Sequence, residues 1–150
     1  MPQRITEATG AVGQLTGKTQ LVTIITPGWG ASGYYSAEVL EKATAEKVWP
    51  AGTLMHIDHP TLAETTDRPE RSVSTVGSRL IEDAYWNAAE KAVQARVRVV
   101  PQWRETLADL MESIGASIYT MAETEPGEAE GRHGNIVTRL IPDPFNTCLL

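Results

Sequence analysis

The most constraining feature of this chain is the regular alternation of residues 92–100. Apolar and polar side chains follow one another there in the order Val93, Gln94, Ala95, Arg96, Val97, Arg98 and Val99. A period of two is typical of a β-strand with one buried face. A second strand-forming stretch at 77–86 precedes it, and the short polar segment 87–91 between them predicts an antiparallel pair. The chain must therefore build a sheet with the valines on its inner side.

Other segments extend this sheet and add helices. Further strands are predicted at 20–26, 54–59, 116–122, 136–141 and 145–150. Ser36 is a suitable N-cap for a helix that reaches residue 47, and Pro101 opens a second helix that Gly115 ends. Loops are predicted at 61–74, which is polar, and at 123–135, which is acidic.

These elements predict the domain organisation. Residues 1–19 are expected to form a flexible N-terminal arm, and residues 20–150 one α+β domain. Its fold is expected to be a mainly antiparallel, partly closed β-barrel with two or more flanking helices. The apolar strand at 145–150 has no turn or polar tail behind it, which predicts that the domain is truncated in its last strand.

Composition excludes some classes of function. The net charge of −6 argues against a nucleic-acid binder that relies on a basic surface. The N-terminus has no signal-peptide pattern, and the longest apolar run is too short to cross a bilayer. Cys148 is the single cysteine, so an internal disulfide is impossible. We expect a soluble, intracellular protein.

Two polar residues on apolar strands are the candidate catalytic pair. His59 closes the predicted strand 54–59, and Ser117 lies early in the strand 116–122. A serine hydroxyl is a poor nucleophile at neutral pH unless a nearby imidazole accepts its proton. Alternation places Met55 and Ile57 on the face of His59, and His56 on the opposite one. We interpret both candidates as lying at strand edges bordered by glycine or proline.

Other interpretations of these residues stay open. Ser117 can be a small residue that fits its strand, and His59 a half-buried structural histidine. His56 and His59 with a carboxylate can be metal ligands, although their spacing puts them on opposite faces of a strand. The chain has no phosphate-binding loop of the GxxxxGK[ST] type and no Gly-x-Ser-x-Gly elbow.

Several motifs together resemble the capsid maturation (prohead) proteases of tailed phages, especially those of actinobacterial phages. The resemblance covers roughly four-fifths of the chain in order. The matching stretches are PGWGASGYYS (27–36), AGTLM (51–55), HPT (59–61), RPERS (68–72), LIEDAYW (80–86), IGASI (114–118) and GEAEGR (127–132).

The resemblance implies a fold similar to herpesvirus assemblin and the activity of a serine endopeptidase. It implies His59 as the general base and Ser117 as the nucleophile. In this family a third, orienting residue lies on a late strand, but no carboxylate stands at 147–150, so none is carried over. Glu123, His133 and Asp143 are the alternatives for that role.

The implied substrates are the phage major capsid protein and the scaffold protein, cut inside the procapsid in the host cytoplasm. No cofactor, metal, membrane or specific nucleic acid is expected, and self-association is possible. The alternative hypothesis is a degenerate or truncated protease domain that acts as a non-catalytic head-assembly or scaffold-binding module.

Overall fold

The computed structural model describes residues 2–11, 19–57, 62–67, 71–110, 115–143 and 146–149. The strands are β1 (Gln3–Ala11), β2 (Thr19–Ile25), β3 (Gly28–Trp29), β4 (Tyr34–Tyr35), β5 (Leu54–His56), β6 (Val76–Leu80), β7 (Tyr85–Asn87), β8 (Ala92–Val99), β9 (Gly115–Ala129), β10 (Arg132–Ile141) and β11 (Thr147–Leu149). The helices are α1 (Ala37–Ala45), α2 (Leu62–Asp67) and α3 (Pro101–Leu110), with a 3-10 turn at Val73–Thr75. None of these helices has the length and apolar character that a membrane crossing requires.

All eleven strands belong to one sheet. Its order is β1-β2-β8-β6-β5-β11-β9-β10-β4-β3, and β7 pairs with β8. Most pairs are antiparallel, while β11 runs parallel to β5 and β4 parallel to β10. Because β1 also pairs with β9, seven strands are joined in a ring of pairings, and β10, β4, β3 and β7 continue outside it.

The predicted α+β class with mainly antiparallel strands is therefore confirmed. The sheet as a whole is open and is not a closed barrel, because β3 and β7 remain as edge strands. The hairpin of β9 and β10 carries the sheet beyond the ring. Each edge strand is only two or three residues long, which limits the unpaired backbone that it offers to other chains.

Alternation explains where the core lies. The inward residues of β8 that the sequence predicts, from Val93 to Val99, are all buried. Helix α1 begins after its predicted N-cap, since the Ser36 side chain accepts a hydrogen bond from Val39 N at 3.1 Å. Its Leu40 and Ala43 are buried in the same core. Trp49 is almost fully buried and donates from Nε1 to Thr120 Oγ1 at 3.0 Å.

Three segments that were predicted to be irregular, one arm and two loops, contain regular structure. In place of a flexible arm, Gln3–Ala11 forms β1, which pairs along β9. The polar segment 61–74 includes α2 and part of the 3-10 turn. The acidic segment 123–135 is the hairpin of β9 and β10, turned at Glu130 and Gly131. Both turn residues have positive φ, 51° and 77°, as a two-residue hairpin turn requires.

Candidate functional site

Ser117 lies inside the sheet, on β9 between two partner strands. On one side it pairs with Leu149 of β11. On the other side β1 has a bulge, because Glu7 pairs with Ile118 and Gly10 with Ala116. Two residues of β1 thus face the single residue Ser117. Bulges of this kind are common next to active sites, where they redirect a side chain.

Alternation fixes the face on which Ser117 lies. Ile118 and Ala116 point into the core and are fully buried, so Ser117 shares the outer face with Tyr119 and Met121. Its exposed fraction is only 5%. The expectation that Ser117 lies at a strand edge is wrong, because β9 is paired on both sides at this position.

His56 occupies the same row of the sheet. It ends β5 and pairs with Leu149, so β11 alone separates it from Ser117. Neighbouring strands lie about 4.8 Å apart, which puts the Cα atoms of His56 and Ser117 roughly 10 Å from each other. The side chain of His56 is buried at 1% exposure. The sheet therefore brings an imidazole and a hydroxyl to one face at one level.

The hydrogen bond of His56 defines its tautomer. Its Nδ1 lies 2.8 Å from Thr75 Oγ1, and Thr75 Oγ1 donates to the carbonyl oxygen of Ser72 at 2.9 Å. A hydroxyl has a single hydrogen, so Thr75 must accept from His56. The neutral ring then carries its proton on Nδ1 and has Nε2 as its acceptor nitrogen. The hydrogen bond of Nδ1 to Thr75 thus leaves Nε2 as the nitrogen that can accept a proton.

His59 lies outside the described residues, together with Asp58. The described part of the predicted strand ends at His56, and the backbone N–H of Ile57 donates to Thr75 O at 2.7 Å. Met55 faces the core, on the side of the sheet opposite to Ser117. If the alternation of Met55 continued, an imidazole at position 59 would lie on the core face, opposite to Ser117. For His59 to approach Ser117, the regular strand geometry has to end before residue 59.

A buried amide anchors β11 beside Ser117. Asn146 Oδ1 accepts hydrogen bonds from Arg4 Nη1 at 2.6 Å and from Met121 N at 3.1 Å. Its Nδ2 donates to the carbonyl oxygen of Ile141 at 2.9 Å. The Arg4 guanidinium is paired with Asp143 at 2.8 Å and lies 5.2 Å from the centre of the Tyr119 ring. Strands β1, β9 and β11 are thereby tied together three to four residues along the sheet from the row of Ser117.

The glycine-rich motif PGWGASG serves the fold through a buried carboxylate. Glu7, at 3% exposure, accepts hydrogen bonds from Ala31 N, Ser32 N and Ser32 Oγ at 3.0, 3.2 and 3.0 Å. A Cβ on Gly30 would collide with this carboxylate, so only glycine fits there. The turn therefore cradles a side chain of the protein itself.

Tyr35 completes this buried network. Because Ser32 Oγ donates to Glu7, the Tyr35 hydroxyl must donate to Ser32 Oγ, 2.6 Å away. Burial raises the pKa of Tyr35 well above its ordinary value; the hydrogen bond to Ser32 opposes this shift, and the nearby Glu7 charge adds to it. The phenol thus stays neutral and remains a donor.

The three alternatives for the residue that orients the imidazole are engaged in other contacts or exposed to solvent. Asp143 is paired with Arg4, and Glu123 pairs in the sheet with Arg139, well along β9. His133 lies on the hairpin near Glu128, with its side chain 83% exposed. Within the ranges that the structure describes, no three His, Cys, Asp or Glu side chains converge in the manner of a metal site.

Sequence reasoning missed the residues that support the site. Thr75, Asn146 and Glu7 each form hydrogen bonds to segments distant in sequence. A threonine in a polar loop and an asparagine before a short strand carry no local pattern that identifies such partners. For Glu7 the sequence gives a weak indication, because a single carboxylate on the inner face of a strand has to be paired with hydrogen-bond donors when it is buried.

Comparison with known proteins identifies a solved structure with a similar fold. No protein-family model matches this chain, and no curated protein matches it. Among solved structures, it is similar to the bacteriophage T4 capsid assembly protease, gp21, with a TM-score of 0.60 and 14% sequence identity. The match covers 99% of this chain and 97% of that chain. The likeness at this identity is one of fold, and it extends over nearly the whole length of both proteins.

Proposed function

We propose that this chain is a serine endopeptidase that processes phage scaffold and capsid protein during procapsid maturation, with Ser117 as the nucleophile and His59 as the general base. The observation that carries the proposal is the fold shared with a capsid assembly protease over 99% of the chain. The position of Ser117 opposite a bulge, in the same row of the sheet as His56, supports its role. The place of action is the procapsid in the host cytoplasm.

The reaction is acyl transfer. His59 removes the proton from Ser117 as the serine oxygen attacks the scissile carbonyl, and the protonated imidazole then gives that proton to the leaving amine. An acyl-serine ester remains, which water hydrolyses with the imidazole again acting as base. Backbone N–H groups that stabilise the developing oxyanion are worth about 3 kcal/mol each in serine hydrolases.

Labelling with a fluorophosphonate tests the nucleophile directly, since the reagent modifies only an activated serine. The wild-type chain should label, and Ser117→Ala should neither label nor cleave a co-expressed capsid or scaffold protein. Its fold should be retained, because the substitution removes a single oxygen atom and leaves the backbone pairings of β9 in place. Processing that continues in Ser117→Ala would refute the assignment.

A matched pair of variants tests the base. His59→Asn should slow labelling by about a thousandfold or more, because the serine loses its proton acceptor. His56→Asn should retain labelling, since the asparagine Nδ2 can replace Nδ1 as the donor to Thr75. The reverse result would move the role of base from His59 to His56.

A non-catalytic role in head assembly is the second candidate. One observation that favours it is the low exposure of Ser117. Another is that Thr147 and Cys148, on the strand between β5 and β9, are not carboxylates and so supply no acidic residue to orient an imidazole. In this case the wild-type chain would bind scaffold protein but would resist the fluorophosphonate.

A further inference from the structure

Thr147 carries a buried hydroxyl that makes no hydrogen bond within the part of the chain that the structure describes. The residue opens β11 and is 7% exposed, and its Oγ1 is inaccessible to solvent. A buried polar atom without a partner lowers the stability of a fold. Such atoms are uncommon in folded proteins, and one that persists needs a reason.

The hydroxyl lies next to the candidate nucleophile. Thr147 pairs with Tyr119, two residues along β9 from Ser117. The intervening pair, Cys148 and Ile118, faces the core, so Thr147 shares the outer face with Ser117. Diagonal neighbours of this kind in an antiparallel pair lie about 7–8 Å apart.

The surroundings hold Thr147 in place. The preceding residue, Asn146, is fixed by its bonds to Arg4, Met121 and Ile141. The Tyr119 ring in the same row lies under the Arg4 guanidinium. Because its strand is anchored in this way, the Thr147 hydroxyl is held at a fixed position on the outer face.

We propose that Thr147 is a substrate-binding residue, whose hydroxyl forms a hydrogen bond with the main chain of a polypeptide bound across the Ser117 row. The proposal rests on the function proposed above and adds a contact to it. Thr147 lies two residues along the sheet from Ser117, and an extended chain rises about 3.3 Å per residue. The Thr147 hydroxyl therefore contacts the bound polypeptide about two residues from the scissile bond. Ser117 and Thr147 are covered to nearly the same degree.

Thr147→Val removes the hydroxyl and keeps the branched shape. Processing of the co-expressed capsid or scaffold protein should fall about tenfold, the usual effect of one lost hydrogen bond. The rate of fluorophosphonate labelling should stay within twofold of wild type, because that small reagent does not reach the Thr147 row. The melting temperature should rise by about 2–4 °C, since an unpaired buried hydroxyl is lost.

Two further variants make the test specific. Thr147→Ser keeps the hydroxyl and should process substrate like the wild type. Ser78→Ala removes another buried hydroxyl that lacks a partner among the described residues, but one that faces the core in register with Met55 and Val99. It should raise the melting temperature without any change in processing.

The outcomes separate the two proposals. Wild-type protein that fails to label overturns the proposed function, and the role of Thr147 falls with it. Wild-type protein that labels, with Thr147→Val processing substrate at the normal rate, overturns the role of Thr147 alone. Equal losses of labelling and processing in Thr147→Val also overturn it, because they place the effect on the nucleophile and not on substrate.

Discussion

Two adjacent rows cross the same three strands, β5, β11 and β9, and differ in the chemistry of their side chains. The inner row, Met55, Cys148 and Ile118, is apolar and fully buried. The outer row joins His56 and Ser117 through Leu149. A slip of one residue in any strand would exchange the rows. The comparison teaches that the inner row, through its apolar packing, sets the register that brings His56 and Ser117 into one row.

The largest effect is expected from a cavity in the inner row. Ile118→Ala should lower the free energy of unfolding by about 2–5 kcal/mol, because it removes a fully buried side chain beside Met55 and Cys148. Labelling of Ser117 should fall as well, since the register loosens. Denaturant titration measures the stability, and a fluorophosphonate measures the reactivity.

Leu21→Ala is the matched control for this variant. Leu21 lies on β2 with 38% exposure, so its truncation should change stability by less than about 0.5 kcal/mol. Equal losses in the two variants would show that the inner row has no special part in the fold.

A smaller effect is expected in the outer row. Thr75→Val deprives His56 Nδ1 of its acceptor and leaves a buried donor unpaired, which should lower stability by about 1–3 kcal/mol. Thr138→Val is the control, because the Thr138 hydroxyl bonds Glu123 O on the exposed surface. Denaturant titrations that show no difference between the two variants would contradict a stabilising role of the hydrogen bond between His56 and Thr75.

The smallest effect is a pH dependence of the inner row. Burial raises the pKa of the Cys148 thiol from 9.0 to about 12, so between these values the unfolded chain binds fewer protons than the folded one. Stability should be nearly constant well below pH 9 and fall as the pH rises above it, by on the order of 1 kcal/mol near pH 9.5. Tyr35 adds to this loss at higher pH.

Cys148→Ala separates the contribution of the thiol. Its stability curve should be flatter between pH 8 and pH 9.5 than that of the wild type, measured by urea titration at each pH. In the native wild type, Cys148 should also react slowly with iodoacetamide at pH 8, because only the thiolate is reactive. Fast alkylation under native conditions would place the thiol in solvent.

Local sequence patterns predicted the parts of the fold that depend on one segment. Strand β8 follows its alternation, and α1 follows the cap at Ser36. Strand β1 was missed because the inward Glu7 interrupts its apolar face, and three donors on a distant turn compensate that charge. The β9–β10 hairpin was missed because Glu130 occupies a turn position that asparagine or glycine usually takes.

The candidate site was predictable only in part. The outer face of Ser117, with Tyr119 and Met121, follows from alternation along β9. The partner strands do not, since β1 and β11 join β9 from opposite ends of the sequence. Sequence patterns cannot give such long-range pairings, and they also gave no sign of Thr75 or Thr147. The pairing of His59 with Ser117 stays a prediction, as His59 lies outside the described residues.

The insertion of β11 between β5 and β9 has a consequence for timing. Both neighbours of β11 are synthesised well before residues 147–149, yet it is these residues that lie between the two strands and pair with both. Contacts between distant segments form late, after the cost of closing a long loop has been met. On a translating ribosome, the row that contains Ser117 therefore cannot be completed before residues 147–149 have been added to the chain.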